Sequence, residues 1–460
     1  MTNKGSRILI SAPQSGSGKT TITCAILKAL KNRGLLTGAG KCGPDYIDPM
    51  FHREVLDTPS WNYDGFFQND DLMRALLKRN CKDPDITVIE GVMGYYDGSS
   101  FEGTDGSTYE TAKILGCPVI LCINAKGMAY TINGVLKGML DLRSDSNIKG
   151  VILNNVRKET YERLAPVIKR ETGITPLGYF PYDKDLGIVS RHLGLLTPDE
   201  LDDLNDKIEK LGDTAEKCLD MDRIIKIAGD AGEISETASD DLEGITPVFS
   251  GKEHKKVAVA RDRAFSFYYE DNIRLLRELG CDIEYFSPIS DLSLPENTKG
   301  LILGGGYPEH YAKELNENTG MRESIRKALS NGLPCLAECG GFMYLHEKME
   351  DENGIEYDMA GFLRGMKCYK TDKLQHFGYV TLSPEENNPY LSKGEILKAH
   401  EFHYWKSSDN GNVMRETKPS DKTGEKSFSG MHLIKNTLCG FPHIYYYSNP
   451  EFIRRFACLL

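Results

Sequence analysis

Residues 7–20 read RILISAPQSGSGKT: an apolar run of strand length, a loop of small residues, then Lys-Thr opening the helical pattern TTITCAILKALKNRG. Strand, glycine loop and helix in that order form the context of a phosphate-binding loop, where successive backbone N–H groups and a helix N-terminus face an anion. Gly16 and Gly18 let the backbone approach the phosphates. Lys19 is expected to reach the β and γ phosphates of ATP, and Thr20 to ligate Mg2+. The usual first glycine of G-x-x-x-x-G-K-[ST] is Pro13 here. A Gly/Ser turn capping a helix is the competing reading, and the ordered Lys-Thr after a strand argues against it.

Working outward, the runs DITVIEG (85–91), PVILCIN (118–124) and KGVILNN (149–155) alternate with longer helical patterns. Such alternation predicts an α/β domain with a largely parallel, buried sheet. Between residues 229 and 254 apolar periodicity fades and Gly, Ser, Thr, Asp and Glu dominate, as in an exposed linker. A second strand–helix series follows: KKVAVARD, EDNIRLLRELG, IEYFSP, KGLILGGG, MRESIRKALSNG and PCLAEC. The expected organisation is therefore residues 1–228, a linker over 229–254 and residues 255–460, with two doubly wound parallel-sheet domains, as suits 460 residues.

A net charge of −11 without a basic stretch argues against nucleic acid as a partner. No apolar run approaches the roughly 20 residues that span a bilayer, and the first residues lack a secretory pattern, so no membrane role and a cytoplasmic location are expected. The 12 cysteines include no C-x-x-C pair and read as reduced core residues. Homodimerisation is left open.

Glu90 closes the strand pattern ITVIE and sits where a second acidic metal ligand is sought. Residues 41–49, KCGPDYIDP, follow another strand pattern and bring Lys41, Asp45, Tyr46 and Asp48 to the same sheet edge, where ligands of open α/β sheets collect. Taken alone, that stretch is also a rigid turn. The candidate Mg2+ ligands are Thr20, Glu90 and Asp48.

Far downstream, LPCLAECGGFMYL (333–345) reads as a strand ending at Cys339 and a helix after it. This is a nucleophile elbow: the following glycines tolerate a cramped backbone, the thiol is presented at the sheet edge, and the helix N-terminus is expected to lower its pKa. Cys335, inside the strand, should be buried. Oxyanion donors are expected from Gly305, in the glycine-rich strand end LGGGYP, and from Gly340. The candidate base is His443 in GFPHIYYYSNPEF, with His400 and His403 in KAHEFHYW as competitors.

SGSGKTT, KCGPDYIDPMFH, VIEGVMGYYDG and GYFPYDKDLGIVSRHLGL, in that order, resemble the cobyrinic acid a,c-diamide synthases over nearly the whole chain. The resemblance implies an amino-terminal P-loop domain similar to dethiobiotin synthetase, which uses ATP and Mg2+ to phosphorylate corrin carboxylates. It also implies a carboxyl-terminal class I glutamine amidotransferase domain, which supplies ammonia from L-glutamine by a sheltered path between domains. It assigns Lys19, Thr20 and Glu90 to nucleotide and metal, and Lys41, Asp45 and Asp48 to the reacting groups. Tyr46, Arg191 and His192 fall to the tetrapyrrole polycarboxylate, Asn154 to adenine, and His443 to the glutaminase base, with KAHEFHYW shaping the domain interface or substrate pocket. Many amidotransferases carry Glu two residues after that His; Tyr445 stands there instead, so a third member is either absent, leaving a Cys–His pair, or comes from elsewhere in the chain. Hydrogenobyrinic acid and nickel sirohydrochlorin diamide synthases look similar. A reading of another class is a P-loop regulatory ATPase with an accessory Cys–His hydrolase, but the second, early lysine typical of such switches is absent from APQSGSGK.

Overall fold

Strand β1 (Arg7–Ser11) is buried at every position, because the sheet it belongs to is covered on both faces. Ile8 and Ile10 point into one apolar cluster with Ile22, Ala25 and Ile26; Leu9, between them, points into another with Ile89 and Leu121. The computed structural model describes residues 5–183, 198–234, 242, 245–249, 254–419 and 427–460, of which 198–203 are described by backbone alone. It divides into two compact units, Met1–Leu242 and Glu243–Leu460.

In the first unit β1 joins β2 (Thr37–Cys42), β3 (Ser60–Tyr63), β4 (Ile86–Glu90), β5 (Val119–Asn124), β6 (Ile148–Asn154) and β7 (Thr175–Phe180) in the order β3-β2-β4-β1-β5-β6-β7. All neighbours run parallel. Helix α1 (Lys19–Asn32) leaves the C-terminal end of β1 and lays its apolar stripe on the sheet. Each large aliphatic side chain so buried contributes about 1.5–3 kcal/mol. The ends of β1, β2 and β4 lie side by side, which brings residues 12–20, 41–48 and 90 to one edge.

In the second unit the main sheet contains β8 (Lys255–Ala260), β9 (Cys281–Phe286), β10 (Gly300–Leu303) and β11 (Cys335–Glu338), extended by Thr437–Gly440 and His432–Ile434. Its order is 432–434, 437–440, β11, β10, β8, β9, parallel except for the outermost strand 432–434. The expectation of a second α/β sheet holds, but two further sheets extend it. Four strands (His346–Glu350, Glu356–Asp358, Leu363–Lys370, Trp405–Ser407) form one, and five (His376–Pro384, Leu397–His403, Met414–Thr417, Phe428–Gly430, His443–Ile444) form the other.

All 12 cysteines are free thiols, ten of them buried. Among the described residues no helix is long and apolar enough to cross a membrane.

Candidate functional site

At the first sheet edge, Gly16 and Gly18 take positive φ (74° and 96°), the left-handed backbone that a phosphate loop needs and that glycine adopts without strain. Gly18 has a second reason to lack a side chain: a Cβ there would stand 2.2 Å from Asn154 Nδ2. That amide donates to Ser17 O at 2.8 Å, so Asn154 braces the loop from the end of β6. Lys19 is buried and folded onto the loop, donating to Met93 O at 2.5 Å; burial and the neighbouring Lys41 charge pull its pKa down.

Thr20 Oγ1 donates to Glu90 Oε1 at 2.6 Å, and Lys41 Nζ donates to the same oxygen at 2.9 Å and to Asp48 Oδ2. Burial alone favours a neutral Lys41, yet Glu90 and Asp48 outweigh it and hold the ammonium firmly. Burial acts on Asp48 in the direction of the neutral acid, and Lys41 reverses it, so Asp48 stays ionised. Burial and the Asp48 charge lift the Glu90 carboxyl to about 7. One ammonium serves two buried acids, which leaves the cluster short of positive charge. Glu90 Oε2 is buried without a hydrogen-bond partner among the described residues. Such an oxygen beside a Thr hydroxyl at a P-loop fits a hard divalent cation. Asp45 accepts from Ile47 N at 2.8 Å and starts helix α2 (Ile47–Glu54), whose N-cap is Tyr46 and whose first turn carries Asp48. Burial and Asp48 raise the Asp45 pKa. The residue that sequence reasoning missed here is Asn62, whose amide donates to Gly43 O (2.9 Å) and Asp45 O (2.8 Å) and so pins the loop. Arg191 and His192 lie outside the described residues.

At the second sheet edge, β11 ends at Glu338 and Cys339 turns the chain into helix Gly340–Leu345 with φ 48° and ψ −105°. A non-glycine residue held there is strained, which marks an elbow. The strands on either side of β11 complete the arrangement: Leu303 pairs with Ala337 and Gly440 with Glu338, and Cys339 N donates to Gly440 O at 2.8 Å. Gly304–Gly306 and Phe441–His443 therefore leave the sheet beside the thiol. A Cβ on Gly305 would meet His443 Cε1 at 2.2 Å, and one on Gly340 would meet Gly306 N at 3.1 Å, so the strand end touches the His443 ring on one side and the elbow on the other. The N–H of Gly340, in the first turn of its helix, has no intrahelical acceptor and is available to an oxyanion.

His443 is buried, and burial followed by His400 and His403 pushes its pKa down to about 3, so the ring is neutral. Cys339 departs from expectation: burial, then the charge of Glu309, pushes the thiol up rather than down. Its helix is only six residues long, and desolvation of the thiolate outweighs so short a dipole. Cys335 is fully buried, as expected. Tyr445 turns away from the base, its hydroxyl donating to Asp271 Oδ2 at 3.1 Å.

KAHEFHYW lies against the elements that carry His443. His400 is the cross-strand partner of His443, and His403 stacks on Phe441 at 3.8 Å and 7°. Glu401 is buried and faces His376 Nδ1 (3.4 Å) and His403 Nε2 (3.8 Å), whose hydrogen bonds hold its carboxyl well below the usual range against the effect of burial. Register pairing across some forty residues carries no local signal, so the motif's place was not legible.

Residues 8–195 match the family described as CobQ/CobB/MinD/ParA nucleotide binding domain, and residues 256–451 match the CobB/CobQ-like glutamine amidotransferase domain. The cobyrinate a,c-diamide synthase of Dehalococcoides mccartyi is 38% identical over 453 residues, covering 98% of this chain and 97% of that one. That of Clostridium tetani is 37% identical over 450 residues (97% and 98%), and that of Picrophilus torridus 38% over 453 residues (98% of each). Across both of its units, the chain belongs to the cobyrinate a,c-diamide synthase family.

Proposed function

We propose that this chain amidates the a and c carboxylates of cobyrinic acid, using ATP and L-glutamine, in cobalamin biosynthesis. What supports it most is the presence, in one chain related end to end to such synthases, of a P-loop edge and a Cys–His elbow.

In the second unit, His443 takes the proton of Cys339 as sulfur attacks the side-chain amide carbon of glutamine. The N–H groups of Gly305 and Gly340 receive the developing oxyanion. His443 returns its proton to the leaving nitrogen, which departs as ammonia, and water hydrolyses the thioester to glutamate. In the first unit, a substrate carboxylate attacks the γ-phosphorus of ATP and ADP leaves. Ammonia then displaces phosphate from the acyl phosphate. An unactivated carboxylate would have to expel oxide, which is why ATP is consumed. Lys19 and Lys41 neutralise charge spread over the transferring group; Asp48 and Glu90 hold Lys41 in place, and Asp45 starts the helix that carries Asp48. Thr20, Glu90 and Asp48 would hold Mg2+, which would supply further charge neutralisation at the phosphates. Tyr46, Arg191 and His192 are assigned to the polycarboxylate and Asn154 to the nucleotide side of the P-loop. The free thiols suit a reducing compartment, the cytoplasm.

Mass spectrometry tests this reading, with cobyrinic acid, hydrogenobyrinic acid and nickel sirohydrochlorin each given ATP, Mg2+ and glutamine. Two amides gained on cobyrinic acid alone is the expected result. ADP formation without any amide product would favour the regulatory ATPase instead.

A further inference from the structure

The 3-10 turn Pro308–Tyr311, just after the glycine-rich strand end, carries an acid that the chemistry above does not use. Glu309 is 7% exposed, and its Oε2 has no hydrogen-bond partner among the described residues. A buried carboxyl oxygen left unpaired is costly and is retained where a ligand completes it.

Its surroundings are those of the elbow. A Cβ on Gly340, the residue after the nucleophile, would stand 2.9 Å from Pro308 Cδ, so the turn begins in contact with the thiol's own helix. Tyr307 meets the ring of Phe267 at 5.1 Å, and Phe267 in turn lies 6.5 Å from the ring of His443. The turn that carries Glu309 is thus packed on the elements that hold Cys339 and His443. Burial lifts its carboxyl to about 8, with Lys370 acting weakly the other way, and the Glu309 charge bears on Cys339 and on the neighbouring thiol Cys368.

We propose that Glu309 selects glutamine, its carboxylate receiving the substrate's α-ammonium group while the side-chain amide lies on Cys339. The proposal rests on the glutaminase reading of Cys339. A base or nucleophile-activating role fits poorly, since a lone negative charge at 309 opposes thiolate formation. A single carboxylate, with its one unpartnered oxygen, matches the single ammonium group of an amino acid. When the ammonium arrives, Glu309 releases its proton to solvent and its charge is cancelled by the substrate, so no net charge is added beside Cys339.

Glutaramate, which is glutamine without the α-amino group, provides the test through rates of glutaminase product release. In the wild-type enzyme kcat/KM for glutamine should exceed that for glutaramate by about 10- to 100-fold, the worth of a charge-assisted hydrogen bond. Glu309→Gln should lose that factor with glutamine and change little with glutaramate. Equal wild-type rates for the two amides, or a variant that loses both equally or neither, would overturn the proposal. The wild-type comparison decides the matter should the variant fail to fold. Cys339→Ala assayed in parallel separates the two claims: continued glutamate release from it would sink the glutaminase reading itself.

Discussion

The imidazole of His443 lies directly on the α-carbon of Gly305, with room for a hydrogen and none for a methyl. The contact fixes the ring between the oxyanion strand end and the elbow. Gly305→Ala, by pushing the ring off this seat, should lower the glutamine-dependent rate about 100-fold, while amide synthesis supplied with free ammonia proceeds. Steady-state rates with the two nitrogen sources check this.

Gly18 is constrained twice, by its left-handed φ of 96° and by Asn154. Gly18→Ala should raise KM for ATP about tenfold or more. Adding Asn154→Ala should not restore it, because the cost of the backbone conformation, about 1 kcal/mol, remains and the brace on Ser17 O is gone. Full rescue by the double variant would show that only the clash mattered.

The two chemistries should separate cleanly. Lys19→Ala is expected to reduce amide formation about 100-fold or more with either nitrogen source and to leave glutamine hydrolysis measurable. Cys339→Ala should do the reverse, losing about 1,000-fold or more with glutamine only. ADP release and glutamate release, followed side by side, distinguish them.

Glu338, one residue before the nucleophile, is lifted by burial from an ordinary 4.5 to about 8. Between those values the folded protein keeps a proton that the unfolded chain releases. The stabilisation is therefore complete below about pH 4.5 and lost as pH rises through 8, at up to about 1.4 kcal/mol per pH unit. Glu309 (about 8) and Glu416 (about 9) act in the same sense. Glu338→Gln, which keeps an acceptor for Tyr446, should show a shallower fall of thermal midpoint between pH 5 and pH 8 than the wild type.

What could be read from the sequence was what contiguous residues determine. The P-loop and the elbow are local backbone events, written in Gly16, Gly18 and the glycines after Cys339, and each strand that carries them is an unbroken apolar run. The two further sheets, between residues 346 and 444, escaped notice because their buried faces are not wholly apolar: Leu397–His403 turns Glu401 and His403 inward, which breaks the period-two signal. The direction of the Cys339 pKa shift was misread because desolvation is a property of the folded surroundings, whereas the helix after it is visible in the chain. Asn62 and Glu309 look like ordinary polar residues until the fold buries them.

The strands that meet at Cys339 come from three distant stretches of polypeptide, and Thr437–Gly440, which leads to His443, pairs last in chain order. During synthesis the thiol is consequently made well before any base can reach it, and contacts of such long sequence separation form slowly. A nascent chain cannot squander glutamine: hydrolytic competence appears only once the closing strand has zipped into place.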